Sequence, residues 1–109
     1  ALKEKYADIE IVNWGQTTSF DIIINSTSLG LKKDDVIEID YAKVGPNKMF
    51  YDVIYNPGET RFLKTAKEKG NQIENGKMMF AFQAQSSFKI WHNIEPEVDD
   101  KVLKLLNND

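Results

Sequence analysis

Four stretches of the chain have the hydrophobic patterns of β-strands. Ile9–Trp14 alternates apolar and polar residues, which is typical of a strand with one face toward solvent. Phe20–Ile24 and Lys48–Tyr55 are almost continuously apolar, with many β-branched or aromatic side chains, and this pattern favours strands buried on both faces of a parallel sheet. The last stretch, Gln72–Glu74, predicts a short strand.

Helical patterns alternate with these strands. Glu59–Lys69 places its apolar residues on one side and is followed by Gly70, where a left-handed residue would end a helix. Lys77–His92 is apolar nearly all round in its first half, which indicates a helix buried between layers. A last helix is expected to open at Glu95–Glu97, where Pro96 suits the first helical position. Strands and helices that alternate in this way predict an α/β unit with a parallel sheet.

Composition narrows the class of protein. The 109 residues, 41% of them hydrophobic and 28% charged, suit one globular domain, and the formal charge of −3 with interspersed lysines argues against nucleic-acid binding. Cysteine is absent, which suits a reducing compartment such as the cytoplasm, and no apolar run approaches the roughly 18 residues of a membrane span. The single histidine, His92, argues against an imidazole metal site or a serine triad. We therefore expect a cytoplasmic protein without metal, membrane or nucleic-acid partners.

A run of polar residues follows the second predicted strand. Asn25–Gly30 reads NSTSLG, at the carboxyl end of a buried strand, which is where open α/β sheets bind ligands. The same side chains are equally suited to stabilise a turn through bonds to the backbone. The pattern leaves both interpretations open.

Four motifs in the same order resemble the shikimate dehydrogenase family. Asp21–Leu31 (DIIINSTSLGL) is similar to its Asn-x-Thr-Ser-x-Gly segment, and Tyr51–Thr60 (YDVIYNPGET) to its Tyr-Asp-x-x-Tyr-x-x-x-x-Thr strand and turn. Glu74–Gly76 (ENG) resembles its Asn-Gly or Asp-Gly turn, and Met78–Trp91 (MMFAFQAQSSFKIW) its Met-Leu-x-x-Gln-x-x-x-x-Phe-x-x-Trp helix. The resemblance covers Phe20–Val98 and implies a partial Rossmann-like sheet of about three or four strands, a fragment of a doubly wound cofactor domain.

The resemblance also implies a cofactor site for NADP. Six residues would line or approach the nicotinamide: Thr27, Ser28, Leu29, Val53, Gly76 and Met79. From the residues alone, Val53 and Met79 fit an ordinary core better than a cofactor site, and Gly76 suits a turn that needs a positive φ.

Two further residues match family positions at the substrate cleft. Tyr55 would place its hydroxyl near the substrate, and Gln83 would bind a substrate hydroxyl. The competing interpretations are an interfacial tyrosine and a structural glutamine buried in the Lys77–His92 helix with its own partners.

Other family features have no counterpart in this sequence. The glycines stand at positions 15, 30, 45, 58, 70 and 76, so no Gly-x-Gly-x-x-Gly loop for pyrophosphate can be written. The family's catalytic lysine and aspartate belong to an amino-terminal domain, so no catalytic residue is assigned here. Residues 1–109, with helices over 93–109, are thus expected to be the carboxy-terminal part of the NADP-binding domain, inactive alone and with weak or no NADP binding.

The resemblance implies a parent enzyme that reversibly reduces 3-dehydroshikimate to shikimate with NADP, in aromatic amino-acid biosynthesis. A quinate/shikimate dehydrogenase and a non-catalytic interaction or ligand-binding module are the alternatives. In the strand order 3-2-1-4-5-6, two strands absent here would lie between Ile9–Trp14 and Phe20–Ile24. Because a bare apolar strand edge recruits partners, we expect the chain to oligomerise or swap segments, with Phe20–Ile24 pairing across the contact. The missing amino-terminal domain is a further expected partner.

Overall fold

The structure, a computed structural model, describes residues 1–106 and is built around a three-stranded parallel sheet in the order β1-β2-β3. In β1 and β2, Ile22 lies opposite Met49, and Asn25 opposite Asp52. The elements in chain order are α1 (Leu2–Lys5), β1 (Ile22–Asn25), α2 (Tyr41–Val44), β2 (Met49–Asp52), α3 (Arg61–Glu68), β3 (Gln72–Glu74), α4 (Lys77–His92) and α5 (Asp100–Leu105). The predicted α/β class with a partial parallel sheet is confirmed.

The core lies between one face of the sheet and α3. Phe50 of β2 is buried with Phe62, Leu63 and Ala66, which recur along α3 at helical spacing. The rings of Phe50 and Phe62 are 5.1 Å apart between centroids. Successive residues of a strand face opposite sides, so Phe50 and Asp52 are buried while Tyr51 between them is only partly buried.

Both ends of α3 have the caps that its sequence favours. Thr60 precedes the helix, and its hydroxyl oxygen accepts a hydrogen bond from the Leu63 N–H at 3.4 Å. Gly70, two residues after the helix, has φ +84°, a conformation that glycine adopts without strain. The predicted glycine-terminated helix is confirmed, although it is shorter than Glu59–Lys69.

The predicted strand at Ile9–Trp14 is wrong. This segment has no regular secondary structure and is largely exposed, and its backbone bonds are turn bonds such as Gln16 N–H to the Asn13 carbonyl at 3.0 Å. An alternating pattern makes a strand only where a neighbouring strand accepts its backbone bonds. No strand among residues 1–106 pairs with it.

The predicted start of the last helix is also wrong. The helix begins at Asp100, because the Asp99 carboxylate accepts a bond from the Val102 N–H at 3.0 Å and caps it. The Pro96 carbonyl instead accepts a bond from Gln85 Nε2 at 2.8 Å. That bond ties the segment before α5 to α4.

Helix α4 matches the predicted Lys77–His92, but it is not buried. Among its sixteen residues only Ala81 is buried, and Trp91 is 75% exposed. Within the described part of the chain, α5 is the element that packs most against it. The expectation that α4 is buried fails because an apolar pattern indicates that a helix needs covering layers. It does not indicate that those layers are present. None of the described helices is both long and apolar enough to cross a bilayer.

Candidate functional site

An open cleft lies at the carboxyl ends of β1 and β2. Its volume is about 470 Å³, and its lining is Thr27, Ser28, Leu31, Val53, Ile54, Tyr55 and Asn56. The cleft forms here because parallel strands end at the same edge of a sheet, so the loops that follow β1 and β2 face each other. We call the loop after β1 the first wall (residues 27–31) and the residues after β2 the second wall (53–56).

Asn25 holds the first wall in shape. Its side-chain Nδ2 donates to the Leu29 carbonyl at 2.9 Å, and its Oδ1 accepts bonds from the Thr27 N–H at 3.1 Å and the Thr27 hydroxyl at 2.6 Å. The Thr27 hydroxyl oxygen in turn accepts from the Leu29 N–H at 3.1 Å. The turn-stabilising interpretation of this polar run therefore holds for Asn25 and Thr27. Ser28 is exposed on the cleft, with no side-chain bond among residues 1–106.

Asp52 lies where the two walls meet. Its carboxylate is completely buried and accepts three bonds, from Asn25 Nδ2 at 3.1 Å, the Ile54 N–H at 3.0 Å and the Thr60 hydroxyl at 2.6 Å. A buried carboxylate is tolerated when donors surround it in this way. Neither Asp52 nor Thr60 was a predicted site residue; the available signal was an acid at the end of a strongly apolar strand.

Asp35 closes the loop beyond the first wall. Its Oδ2 accepts bonds from the Gly30 and Lys32 N–H groups, both at 3.0 Å. These two backbone bonds, that of Gly30 first, lower the pKa of the Asp35 carboxyl. The loop is therefore tied down at both ends, by Asn25 and by Asp35.

Gly76 is buried beside the second wall. Its N–H donates to the Ile54 carbonyl at 3.2 Å, and a Cβ added there would lie 1.9 Å from the Val53 carbonyl oxygen. Its φ is −83°, so the alternative of a turn glycine with a positive φ is wrong. Glycine is needed because two backbone segments of this chain come together.

Tyr55 and Phe80 stack at the mouth of the cleft. Their ring centroids are 4.5 Å apart with 26° between the planes, an offset-stacked pair that joins the second wall to α4. Met79 is half-buried on the same helix. Phe80 carried no signal in the sequence beyond its place in an apolar helix.

Gln83 does not line this cleft, and the expectation that it is buried is wrong. It is exposed in a second, shallow cleft of about 430 Å³ on α4. That cleft is lined by Phe80, Gln83, Ala84, Ser87, Phe88 and Trp91. Phe80 and Gln83 are three residues apart on one helix face, so Phe80 lies between Tyr55 and Gln83.

Four of the eight predicted site residues thus line one cleft, and the others adjoin it or lie on α4. The four are Thr27, Ser28, Val53 and Tyr55. Leu29 is bonded within the first wall, and Gly76 is bonded to Ile54 of the second wall. Met79 and Gln83 lie on α4. No group of three or more histidine, cysteine or acidic side chains in residues 1–106 is arranged to hold a metal ion.

Known proteins match nearly the whole chain. It is 57% identical over 106 residues to shikimate dehydrogenase (NADP(+)) of Pelagibacter ubique, an alignment that covers 97% of this chain and 40% of that protein. The chain matches the carboxy-terminal part of the shikimate dehydrogenases. The resemblance of Phe20–Val98 to this family is thereby confirmed.

Solved structures agree with the sequence match. The shikimate dehydrogenase of Aquifex aeolicus superposes with a TM-score of 0.78 at 34% identity, over 99% of this chain and 40% of that one. The quinate dehydrogenase of Corynebacterium glutamicum, solved with NAD, superposes with a TM-score of 0.65 at 27% identity, over 79% of this chain and 30% of that one. No protein-family model matches the chain. The chain therefore spans less than half the length of these shikimate and quinate dehydrogenases.

Proposed function

We propose that this chain forms the nicotinamide side of the NADP site, and part of the substrate cleft, of a shikimate dehydrogenase. The whole enzyme would reversibly reduce 3-dehydroshikimate to shikimate. One observation supports this most: the loops after β1 and β2 bring Thr27, Ser28, Val53 and Tyr55 to one cleft. These residues are 28 positions apart at the extremes, and only the parallel pairing of β1 with β2 brings them together.

The cleft suits a flat heteroaromatic ring. Leu31, Val53 and Ile54 give it apolar walls, and the Ser28 hydroxyl is available for a polar contact. When bound, the nicotinamide supplies the hydride chemistry, while the protein binds, orients and excludes water. Within the six proposed cofactor residues, Thr27 and Leu29 shape the first wall, Ser28 and Val53 contact the ligand, and Gly76 and Met79 support the second wall.

Tyr55 and Gln83 are the proposed substrate residues. Tyr55 lies in the cleft, and Gln83 lies on the same face of α4 as the Phe80 ring that stacks on Tyr55. The Gln83 amide makes no hydrogen bond to any residue in the described part of the chain, and it is exposed. An amide in this state is free to bind a hydroxyl of a polyhydroxylated ring, which a buried structural glutamine would not be.

Residues 1–109 would be the carboxy-terminal part of the NADP-binding domain, including the helices over 93–109, of which 107–109 lie outside the described residues. The catalytic acid–base residues would come from an amino-terminal domain, so the chain alone would be inactive and bind NADP weakly. Its edge strand supports a further proposal, self-association or docking through Phe20–Ile24, since Ile22 and Ile24 of β1 are 57% and 58% exposed. The lack of cysteine supports a cytoplasmic location.

A quinate/shikimate dehydrogenase is the second candidate. The structural match to a quinate dehydrogenase solved with NAD favours it, because that enzyme shares this part of the fold. Because the chain alone is proposed to be inactive, the two candidates are distinguished by assaying the chain complemented with a separately expressed amino-terminal portion, with shikimate and with quinate, each with NADP+ and NAD+.

Titration of the ¹⁵N-labelled chain with NADP+ tests the cofactor site. We expect amide shifts centred on Ser28 and Val53, and Ser28→Ala should weaken binding about fivefold by removing one hydrogen bond. Ser26→Ala is the matched control, because Ser26 is exposed in the same loop but does not line the cleft. Shifts confined to residues away from both walls would refute the proposed site.

Complementation tests the enzyme. The chain alone should give no shikimate-dependent reduction of NADP+, and adding the separately expressed amino-terminal portion of the Pelagibacter ubique relative should restore it. Turnover by the chain alone would contradict the proposal.

A further inference from the structure

The Asp52 carboxylate is bonded directly to the second wall of the cleft, and through the Asn25 side chain to the first. Its Oδ1 accepts from Asn25 Nδ2, which belongs to the first wall's support, and from the Ile54 N–H, which belongs to the second wall. Its Oδ2 accepts from the Thr60 hydroxyl at the start of α3. Asp52 itself is completely buried and does not line the cleft, so any effect on a ligand must pass through its neighbours.

The carboxylate decides which way the Asn25 amide faces. Asn25 Nδ2 lies between two acceptors, Asp52 Oδ1 and the Leu29 carbonyl, so the amide must present its N–H₂ group to them. The Asn25 oxygen is then left facing Thr27, where it accepts both the N–H and the hydroxyl. A reversed amide would set its oxygen against a carboxylate and against the Leu29 carbonyl, and would lose the bond from the Thr27 N–H.

The same carboxylate oxygen fixes the second wall. The Ile54 N–H that it accepts lies between the cleft residues Val53 and Tyr55, and the Ile54 carbonyl accepts the Gly76 N–H at the start of α4. One buried oxygen, Asp52 Oδ1, therefore connects the second wall to Asn25, which holds the first wall, and the other oxygen, Oδ2, is bonded to Thr60 at the start of α3.

We propose that Asp52 is a positioning residue that sets the separation of the two walls, and thereby the fit of the nicotinamide ring. The effect on the fit of the nicotinamide rests on the proposed cofactor site, whereas the effect on the separation of the walls does not depend on it. Charge-assisted bonds to a buried carboxylate are stronger than neutral ones, which suits a group that must hold two loops in register.

Asn71 provides a matched control at the other end of the sheet. It is also buried; its Nδ2 donates to the Ala66 carbonyl at 3.1 Å, and its Oδ1 accepts from the Lys48 N–H at 2.9 Å. Asp52→Asn and Asn71→Asp are thus mirror-image, nearly isosteric changes in buried polar clusters, one at the cleft and one away from it.

Amide hydrogen exchange of the full chain separates positioning from general stabilisation. In Asp52→Asn we expect the amides of Thr27, Leu29 and Ile54 to exchange about tenfold faster relative to that of Gln72, which is bonded to the Lys48 carbonyl. Asn71→Asp sets a carboxylate oxygen against the Ala66 carbonyl, so it should speed exchange at the amide of position 71, which is bonded to that carbonyl, and leave the wall amides unchanged. NADP+ affinity should fall about tenfold in Asp52→Asn only.

Each outcome of the exchange and binding measurements either supports or overturns the proposed role of Asp52. Wall amides as protected in Asp52→Asn as in the wild type would overturn the proposal, as would equal losses at the walls in both variants. If the wild-type chain shows no NADP+ response but the exchange pattern is as expected, the cofactor site fails and the positioning role of Asp52 stands.

A second pair of variants covers the case in which Asp52→Asn does not fold. Thr60→Val removes one of the three donors to Asp52, whereas Thr60→Ser keeps the hydroxyl and the cap of α3. We expect exchange at Ile54 and Leu29 to rise about fivefold in Thr60→Val and to stay near the wild-type rate in Thr60→Ser. Unchanged exchange in Thr60→Val would count against Asp52 as the link.

Discussion

The two halves of this molecule use their apolar residues differently. Between β2 and α3, side chains such as Phe50 and Leu63 are completely or almost completely buried, and the polar groups among them are hydrogen-bonded. In α4, the aromatic residues Phe82 and Trp91 are 49% and 75% exposed. The region between β2 and α3 is a fully packed core. Helix α4 has the composition of a core helix but lacks the layers that would cover it.

The cleft lies at the junction of these regions, and that position explains how its residues divide. Those on the sheet side, such as Thr27, are held by the buried polar cluster around Asp52. Those on the α4 side are either stacked, like Phe80 on Tyr55, or, like Gln83, without a hydrogen bond to any of residues 1–106. The sheet side is thus preorganised, and the α4 side would be completed by whatever covers the helix.

The largest expected effect tests the contrast directly. Leu63→Ala removes a side chain that is 1% exposed and should cost about 2–5 kcal/mol of unfolding free energy, because it leaves a cavity in the fully packed core. Trp91→Ala removes a larger side chain that is 75% exposed and should change stability by about 0.5 kcal/mol or less. Urea denaturation of the full chain measures both. A loss in Trp91→Ala as large as that in Leu63→Ala would show that α4 is buried in solution.

The second-largest expected effect is at Gly76, where α4 begins against the residues that follow β2. Gly76→Ala would bring a Cβ to 1.9 Å from the Val53 carbonyl oxygen, so backbone must move, and we expect a loss of about 1–3 kcal/mol. The cleft should respond as well, with amide shifts at Val53 and Ile54.

Gly45→Ala is the control for Gly76→Ala. Gly45 has φ +78° and ψ −171°, a backbone region restricted almost entirely to glycine, and open space around it, so alanine there adds backbone strain of about 1–3 kcal/mol without a close contact and without amide shifts at Val53 and Ile54. If Gly76→Ala were as stable as the wild type in thermal denaturation, the close contact with Val53 could not be what demands glycine.

The comparison also explains which parts of the fold follow from the sequence. Strand β3 and helix α4 have their predicted bounds, and α3 lies within two residues of its predicted bounds, helped by the local signal of Gly70 after it. Strand β2 begins one residue after the start of the predicted Lys48–Tyr55 and ends three residues before its end. Ile9–Trp14 was misassigned because an alternating pattern cannot tell whether a neighbouring strand is there to pair with it. Gln83 was expected to be buried for the same reason, since an apolar helix reveals a need for cover and not the cover itself.

The site was predictable only in outline. Motif resemblance brought Ser28 and Val53 forward as cleft residues, and the structure brings them together. Asp52 was missed because its role depends on Asn25, which is 27 residues away and comes within 3.1 Å only through the register of β1 against β2. Hydrophobic patterns fix which face of a strand is buried, but they do not say which polar ends will meet.

The smallest expected effect is a pH dependence confined to the packed region. Burial, and then the nearby charge of Asp52, raise the pKa of Tyr41 above its ordinary value of 10.0. Because the folded state disfavours the tyrosinate, Tyr41 contributes stability that is fully present below about pH 10 and is lost as the pH rises through its folded pKa. Tyr41→Phe should therefore lose less unfolding free energy than the wild type between about pH 8 and about pH 11, as measured by urea denaturation at both values. Equal losses in the two proteins would place the Tyr41 hydroxyl in solvent, and would mean that the core beside α2 is as open as the surface of α4.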